Sequence, residues 1–235
     1  MSTPVSLEQR PVTWSHDQDV FRLDPGIYGG CEALLAGAAD GALDGVTFTS
    51  SSADFTSAAI RPGDVIEFAS AGSAPWQRGT LLLRVIEVTG PTSLQIARLE
   101  LHSAHSAAFA VESGRPWQIR TMDHWRRLAW RDIAVQRLRL DDPHRPLTPG
   151  DTSDDADNIW RSEDLAECEA LLALAKCHAS RWNGSVGHAA QAKSADFMRR
   201  FEEQFTRIQV LLRSATTGST PSVRLTPGAT QLRRG

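Results

Sequence analysis

The sequence predicts an α+β protein with a small antiparallel β-sandwich or barrel domain, a helical bundle made of a helix hairpin plus a further helix, and extended N- and C-terminal arms. Residues 44–116 contain short segments of alternating apolar and polar side chains separated by Pro/Gly turns, which is typical of an antiparallel sheet. Residues 117–212 carry apolar side chains at helical spacing. The predicted domains are therefore an N-terminal arm with a short helix over 1–43, the β domain, the helical domain, and an extended basic tail over 213–235.

The N-terminal arm is polar and rich in proline, with scattered apolar anchors that include Trp14, Val20 and Phe21. Such anchors are expected to dock on something, either the chain's own body or a neighbouring subunit. The following stretch, GGCEALLAGAADGALDG (29–45), has an Ala/Leu core that predicts two or three turns of helix.

Four strands are predicted for the β domain, and they are short and closely spaced, as in a small sandwich or barrel of about 70 residues. Their sequences are VTFTS (46–50), RPGDVIEFA (61–69), GTLLLRVIEV (79–88) and TSLQIARL (92–99). The TGP between the last two predicts a hairpin turn. The domain is expected to close at Pro116-Trp117.

Three helices are predicted over 117–140, 158–181 and 188–212. The third has a one-sided apolar stripe, and only a short NGSVG break separates it from the second, so these two should form an antiparallel hairpin. The Asp- and Pro-rich stretch 141–157 is interpreted as a linker. In the tail, SVRL and TQLRR are expected to become strands only when paired with another chain.

Charge is distributed unevenly along the chain. The net charge is −3. Residues 213–235 contain four arginines and no acid, a charge of +4, so the remaining residues carry −3 − 4 = −7. This balance argues against a protein that coats nucleic acid over its whole surface.

The three cysteines, Cys31, Cys168 and Cys177, are an odd number without disulfide-framework spacing, which predicts reduced thiols and synthesis in a reducing cytoplasm. Cys168 and Cys177 are nine residues apart, about 13 Å along a helix, too far to share one metal ion. The N-terminus has no apolar leader segment, and no run of residues is long and apolar enough for a membrane span.

No catalytic, cofactor-binding or metal-binding site is predicted. Asp54 and Asp64 each lie beside turn residues, where an aspartate typically caps the turn with its own side chain. His102 and His105 lack an accompanying triad pattern and are interpreted as surface residues. The acidic DTSDDAD (151–157) lacks the glycine and closing glutamate of a calcium loop, and no phosphate-binding, dinucleotide-binding or zinc-protease motif is present.

Two stretches of the chain resemble tailed-bacteriophage virion proteins. VTFTSSSADFTSAAIRPGDVIEF, continued by GTLLLRVIEVTGPTSLQI, is similar to a small β module found in several such proteins. WQIRTMDHWRRL with the following helix pair, and the terminal PGATQLRR, resemble phage neck proteins, the head–tail connector or adaptor subunits that lie beneath the portal.

The resemblance implies a structural virion protein without enzymatic activity or cofactor. It implies a homo-oligomeric ring, commonly of twelve subunits, in the neck of the particle and assembled in the host cytoplasm. The ring would dock on the portal protein, meet a tail-side neck or tail protein, and continue the DNA channel without sequence-specific binding or contact with a membrane. The expected portal-binding residues are Arg224, Leu225, Leu232, Arg233 and Arg234. The expected contacts with a neighbouring subunit are Trp14, Val20 and Phe21.

Two alternatives remain open at this point. The first is a different phage structural subunit (a tail terminator, baseplate or decoration protein), and the second is a hydrolase that uses Asp54, Asp64 or His102 and His105. A ring of six subunits favours the first alternative, and turnover that is lost in His102→Ala favours the second.

Overall fold

A computed structural model of the chain describes residues 13–28, 33–71, 78–99, 109–138, 159–160, 163–181, 187–208, 210–213 and 221–225. These residues fall into two compact units. The barrel unit contains the described residues from His16 to His124. The helical unit contains Thr13–Ser15 and the described residues from Trp125 onward. The protein is therefore α+β with a small barrel, as predicted.

The barrel unit is a closed antiparallel barrel of six strands, and their order around the barrel is β1-β2-β5-β4-β3-β6. The strands are β1 (Ala33–Gly45), β2 (Thr47–Thr49), β3 (Val65–Ala71), β4 (Arg78–Gly90), β5 (Ser93–Arg98) and β6 (Phe109–Thr121). The four segments predicted as strands overlap β2, β3, β4 and β5, and the predicted TGP turn joins β4 to β5. Closure leaves no long open edge, because β6 pairs with both β1 and β3.

The prediction of a short helix over 29–45 is wrong, because Ala33–Gly45 is strand β1. Its Ala/Leu composition favours helix locally, but β1 pairs with β6 along almost its whole length. Small residues are required there for packing. A Cβ at Gly41 would lie 2.5 Å from Trp117 Cδ1 and 3.0 Å from the Arg115 carbonyl oxygen. The predicted boundary at residue 44 therefore cuts through a barrel strand.

Aromatic rings fill the middle of the barrel. Phe48 lies 5.3 Å from Trp117, 6.0 Å from Phe55 and 6.1 Å from Phe68, measured between ring centroids. Phe48, Phe55 and Phe68 are completely buried, and the Trp117 side chain is nearly so. The other buried members of this core are Leu43, Ile60, Ile66, Leu83, Val85, Leu94, Ile96, Phe109 and Ile119.

The prediction that the β domain closes at Pro116 and a helix begins at Trp117 is also wrong. Strand β6 continues to Thr121, with Trp117 and Ile119 buried and Gln118 and Arg120 partly exposed, the alternation expected of a strand. Helix α2 begins only at Asp123, whose N–H donates to the Thr121 hydroxyl at 3.1 Å.

A short helix, α1 (Asp17–Leu23), packs on the barrel through polar contacts that position it. The Gln18 N–H donates to the Gly63 carbonyl at 2.9 Å, and the Met122 N–H donates to Asp17 Oδ1 at 3.0 Å. Gly63 has a positive φ of 90°, and a Cβ there would lie 2.7 Å from the His16 side chain. The Pro62-Gly63 turn therefore needs its glycine both for backbone conformation and for close packing.

The Tyr28 hydroxyl is inserted between strands β3 and β6. It accepts a hydrogen bond from the Glu67 N–H at 3.2 Å, and it lies 2.9 Å from the Gln118 carbonyl and 3.1 Å from the Val65 carbonyl, to one of which it donates. Burial raises the pKa of Tyr28 far above its ordinary value, so the hydroxyl stays neutral. The hydroxyl thus acts as part of the β3–β6 ladder.

Tyr28→Phe is expected to destabilise the protein by about 1–3 kcal/mol, because the ring stays in place while the Glu67 N–H and a strand carbonyl lose their partner in a buried position. Urea unfolding measures the loss. Thr89→Val is the matched control, since it removes an exposed hydroxyl whose neighbour is Ser93. A Tyr28→Phe protein as stable as Thr89→Val would contradict the bridging role of the hydroxyl.

The helical unit contains α2 (Asp123–Arg131) from Trp125 on, a π-helical turn (Asp132–Arg137), α3 (Glu163–Ser180) and α4 (Gly187–Phe205). Helices α3 and α4 pack antiparallel, as the predicted hairpin requires. The His178 ring stacks on Phe197 at 5.7 Å, and the Ser194 hydroxyl donates to the Ala175 carbonyl at 2.8 Å. The predicted apolar stripe is buried at Phe197, Phe201 and Phe205.

A helical bundle over 117–212 is not confirmed. Residues 117–121 belong to β6, and the third helix ends at Phe205, where the sequence prediction ran to Leu212. Residues Val210–Arg213 form a strand, β8, that pairs with Ile159–Trp160 (β7) and Pro221–Leu225 (β9). Sheet pairing between remote segments has therefore replaced the last turns of the predicted helix.

Candidate functional site

The predicted partner-binding tail begins with a strand of its own sheet. Strand β9 lies antiparallel to β8, with Arg224 opposite Leu211 and Leu225 opposite Val210. The expectation that SVRL forms a strand only with another chain is therefore wrong, because β8 of the same chain pairs with it. Leu232, Arg233 and Arg234 lie outside the described residues.

The sheet order is β7-β8-β9, which places β9 at an edge. Within the part of the chain that the structure describes, no strand pairs with the other side of β9. A strand edge presents a row of backbone N–H and C=O groups that a strand from another chain can pair with. This edge is the first candidate site of assembly.

The predicted contacts of Val20 and Phe21 with a neighbouring subunit are wrong. Both side chains are completely buried in the barrel unit, and Phe21 packs on Tyr28 with ring centroids 4.8 Å apart. The arm therefore docks on its own body at these positions. Trp14 differs, because it is partly exposed and packs against Trp130 of α2 at 6.0 Å.

Residues Thr13–Ser15 form a segment, here called the strap, that is bound inside the helical unit by the carboxylate of Glu169 on α3. The Trp14 N–H donates to Glu169 Oε2 at 2.8 Å, and the Ser15 hydroxyl donates to Glu169 Oε1 at 2.5 Å. Glu169 and Ser15 are completely buried. A carboxylate with both oxygens hydrogen-bonded in this way fixes a three-residue segment more than 150 positions away in the sequence.

Arg126 on α2 is the second buried charge at the strap. Its guanidinium donates to the Thr13 hydroxyl at 3.0 Å and to the Ser15 carbonyl, and the Thr13 hydroxyl donates to that same carbonyl at 3.0 Å. Burial raises the pKa of Glu169 to about 7, although the Ser15 hydrogen bond and the positive charge of Arg126 act in the opposite direction. Glu169 therefore changes its charge near neutral pH.

The sequence interpretation missed this pair because the two residues and the strap are remote from one another. One signal was present. Glu169 interrupts the apolar run LAECEALLALA in α3, and a charged residue inside such a run has to find a partner when the helix is buried. The helix is in fact buried on nearly all sides from Cys168 to Ala175.

Asp54 and Asp64 are turn-forming residues, as predicted. Asp54 Oδ1 accepts from the N–H groups of Thr56 and Ser57 at 3.1 and 2.9 Å, and the hydrogen bond from the Ser57 hydroxyl is the main cause that lowers its pKa. Asp64 is buried, and its Oδ2 accepts from the Arg61 N–H at 2.8 Å. The two carboxylates cap separate turns.

A groove of about 310 Å³ lies on the outer side of the barrel, where β3 separates from β6. Ladder pairing between these strands ends at Phe68–Trp117, and the next residue of β6, Pro116, has no N–H to donate. The groove is lined by Glu67, Ala69, Thr80, Pro116, Trp117 and Gln118. The Gln118 amide donates to the Glu67 carboxylate. The lining offers one carboxylate, one amide and one hydroxyl, a set suited to hydrogen bonding.

The other residues considered in the sequence analysis are either buried in the core or lie outside the described residues. The Cys168 and Cys177 side chains are buried, and burial raises the pKa of the Cys168 thiol to about 12. The described residues contain no group of three or more potential metal ligands. Cys31, His102, His105 and residues 151–157 lie outside the described residues. Of the helices in the described ranges, none is both long and apolar enough to cross a membrane.

Comparison of the chain with protein-family models, curated proteins and solved structures finds no match.

Proposed function

We propose that the chain is a structural virion protein, a head–tail connector (adaptor) subunit that forms a ring beneath the portal and continues the DNA channel to the tail. The observation that carries the proposal is the edge of β9, which lies in the Arg-bearing C-terminal tail and is not paired by any other strand in the described ranges. A subunit that joins rings needs a surface on which a second chain adds with little loss of entropy. An ordered strand edge provides one.

The charge distribution supports the same role. The tail carries +4 and the rest of the chain −7, so the tail suits an acidic or polar groove on another protein. An acidic body suits a channel wall along which DNA slides, since like charge weakens the binding of phosphates. The antiparallel α3–α4 pair, as the core of a helical domain, gives each subunit a rigid body to repeat around a ring.

The test separates the strand from the residues that follow it. Deleting residues 226–235 removes Leu232, Arg233 and Arg234 and keeps β9, whereas deleting 214–235 also removes β9. We expect the shorter deletion to weaken co-sedimentation with purified portal rings at least tenfold, because it removes the charged contacts of the tail. The longer deletion should abolish co-sedimentation, because it removes both these contacts and the strand edge. Circular dichroism should show an unchanged barrel unit in both.

Arg199→Gln is the matched control, because it removes an exposed arginine of α4 that pairs with Asp196 and Glu203. It should bind portal as the unaltered chain does. Portal attachment that survives deletion of residues 214–235 would refute the proposed role of the tail. A six-membered ring in electron micrographs would instead indicate another structural subunit of the particle.

A further inference from the structure

The groove on the outer side of the barrel unit is lined by outward-facing positions of three neighbouring strands. Ala69 of β3 pairs with Thr80 of β4, and Glu67 of β3 pairs with Gln118 of β6. Pro116 of β6 completes this part of the lining. The volume of about 310 Å³ is at the lower end of the roughly 300–1,000 Å³ that ligand sites span, so the groove suits one side chain better than a large ligand.

The Glu67 carboxylate is the charged group among the residues that line the groove. The Gln118 amide donates to its Oε2, which fixes the orientation of the carboxylate, and no donor among the described residues contacts Oε1. The arginines nearest in register, Arg84 and Arg120, lie opposite Val65 in the adjacent row, and neither forms an ion pair with Glu67. The half-buried Glu67 therefore brings to the groove a negative charge that has no positive partner within the described ranges.

The backbone N–H groups of β3 on either side of the groove are already bound by side chains. The Glu67 N–H donates to the Tyr28 hydroxyl at 3.2 Å, and the Ala71 N–H donates to Glu112 Oε2 at 2.8 Å. Tyr28 is inserted between β3 and β6, and Glu112 belongs to β6, so both N–H groups are directed toward β6. These two donors are therefore not available to a ligand in the groove.

The backbone carbonyl of Ala69 adds an acceptor to the groove. Ala69 lies midway between the two residues whose N–H groups are directed toward β6, and backbone direction alternates along a strand, so its carbonyl is directed toward β6 as well. In the register that pairs Phe68 with Trp117, the residue opposite Ala69 is Pro116. Pro116 has no N–H, so the Ala69 carbonyl lacks the ladder donor that another residue type at this position would supply. Around the groove, β3 thus has its donors bound and a carbonyl without its strand partner.

We propose that the groove is a docking site for the guanidinium group of an arginine side chain from another protein chain. The groove offers three kinds of acceptor, which are the Glu67 carboxylate, the Ala69 carbonyl and the Thr80 hydroxyl. A guanidinium has five N–H donors in one plane, so it can bond to several of these acceptors at once while its charge pairs with Glu67. A lysine ammonium has the same charge but lacks this planar set of donors. The site belongs to the barrel unit alone and does not depend on the proposed ring.

The experiment is an NMR titration of the full ¹⁵N-labelled chain with N-acetylarginine methylamide. The side-chain amide of Gln118 is the reporter, and its signals are assigned by their loss in Gln118→Met. We expect these signals to shift and to reach saturation as the probe is added. N-acetylcitrulline methylamide has nearly the same shape without the charge and should bind at least about tenfold more weakly, because it cannot form charge-assisted hydrogen bonds with Glu67. N-acetyllysine methylamide should also bind more weakly than the arginine probe.

Three variants make the result specific. Glu67→Gln keeps the shape of the groove and an oxygen for the Gln118 amide but removes the charge, so affinity for the arginine probe should fall at least about tenfold. Ala69→Val keeps the charge and places two further methyl carbons in the groove, so it should also weaken binding. Glu87→Gln is the matched control, because it removes an exposed carboxylate of β4 in the same barrel, and it should change the affinity less than about twofold.

The absence of a saturable shift at Gln118 in the unaltered chain would overturn the docking site. Equal affinity for the arginine probe and for either of the other two probes would do the same, as would an affinity that Glu67→Gln leaves unchanged. A loss in Glu87→Gln as large as that in Glu67→Gln would show only a general attraction to an acidic surface and would also refute the site. If Ala69→Val does not fold, the comparison of Glu67→Gln with Glu87→Gln decides the outcome.

Discussion

Phe48→Ala is expected to destabilise the barrel unit by about 3–5 kcal/mol, which is a large part of the roughly 5–15 kcal/mol by which an ordinary domain is stable. Phe48 is completely buried, and its ring centroid lies within 6.1 Å of those of Phe55, Phe68 and Trp117. Its removal costs the transfer free energy of the ring and leaves a cavity. Strands on opposite sides of a closed barrel cannot collapse into such a cavity without breaking the ladder.

Urea unfolding followed by tryptophan fluorescence measures the effect. Val111→Ala is the matched control, because Val111 lies on strand β6 of the same barrel with 76% of its side chain exposed. That variant should change the free energy of unfolding by less than about 0.5 kcal/mol. A Phe48→Ala barrel that unfolds at the same urea concentration as Val111→Ala would show that the aromatic cluster is not the core of this unit.

The middle of the barrel could be predicted from the sequence because its signals are local. Residues 61–69 combine a Pro-Gly turn with the apolar residues Val65, Ile66 and Phe68, and TGP at 89–91 joins two β-rich runs. Each of these patterns needs only neighbours in sequence to be interpreted. The strands β2 to β5 follow from them.

Strand β1 could not be predicted in this way. Strand β1 is rich in alanine, which favours helix, and in glycine, which favours neither helix nor strand. Small residues are needed there because β1 packs closely against β6, as the short distances at Gly41 show. The partner strand lies about 75 residues later in the chain. The same reason applies to β8 and β9. Propensity alone predicts the end of a helix for β8 and an unpaired tail for β9, whereas the two segments form strands because they pair with each other.

Buried ionic contacts are harder still to predict. Nothing in the sequence relates Ser15 to Arg126 or to Glu169, because a hydrogen bond between remote residues produces no repeating pattern in the sequence. Trp14 was identified as an anchor from its apolar ring, but the groups that hold its backbone are polar. The part of a candidate site that depends on chemistry between remote residues therefore requires coordinates.

Arg126→Met is expected to destabilise the helical unit by about 3–5 kcal/mol at pH 8, because it removes the buried positive charge that favours ionised Glu169 and leaves that carboxylate uncompensated. The Thr13 hydroxyl also loses the donor from which it accepts, and the Ser15 carbonyl loses one of its donors. At pH 5 Glu169 is protonated and no charge is stranded, so the loss should fall to the about 1–3 kcal/mol of unmade hydrogen bonds.

The unaltered chain has its own pH dependence, with a sign fixed by Glu169. Its pKa is raised in the folded state to about 7 from an ordinary 4.5, so the folded state binds the proton more tightly than the unfolded state. This contribution to stability is fully present below pH 4.5 and is lost as pH rises through 7. The difference between the two values corresponds to about 3 kcal/mol. Glu169→Gln should remove this slope.

Urea unfolding at pH 5 and pH 8, followed by the circular dichroism of the helices, checks both expectations in one series. Arg199→Met is the control, since it breaks exposed ion pairs on α4 and should cost at most about 1 kcal/mol at either pH. The double variant Arg126→Met with Glu169→Gln should recover part of the loss at pH 8, because the stranded charge is then absent. Equal losses for Arg126→Met at both pH values would mean that Arg126 acts only through its hydrogen bonds to the strap, and that the charge of Glu169 is stabilised by other groups.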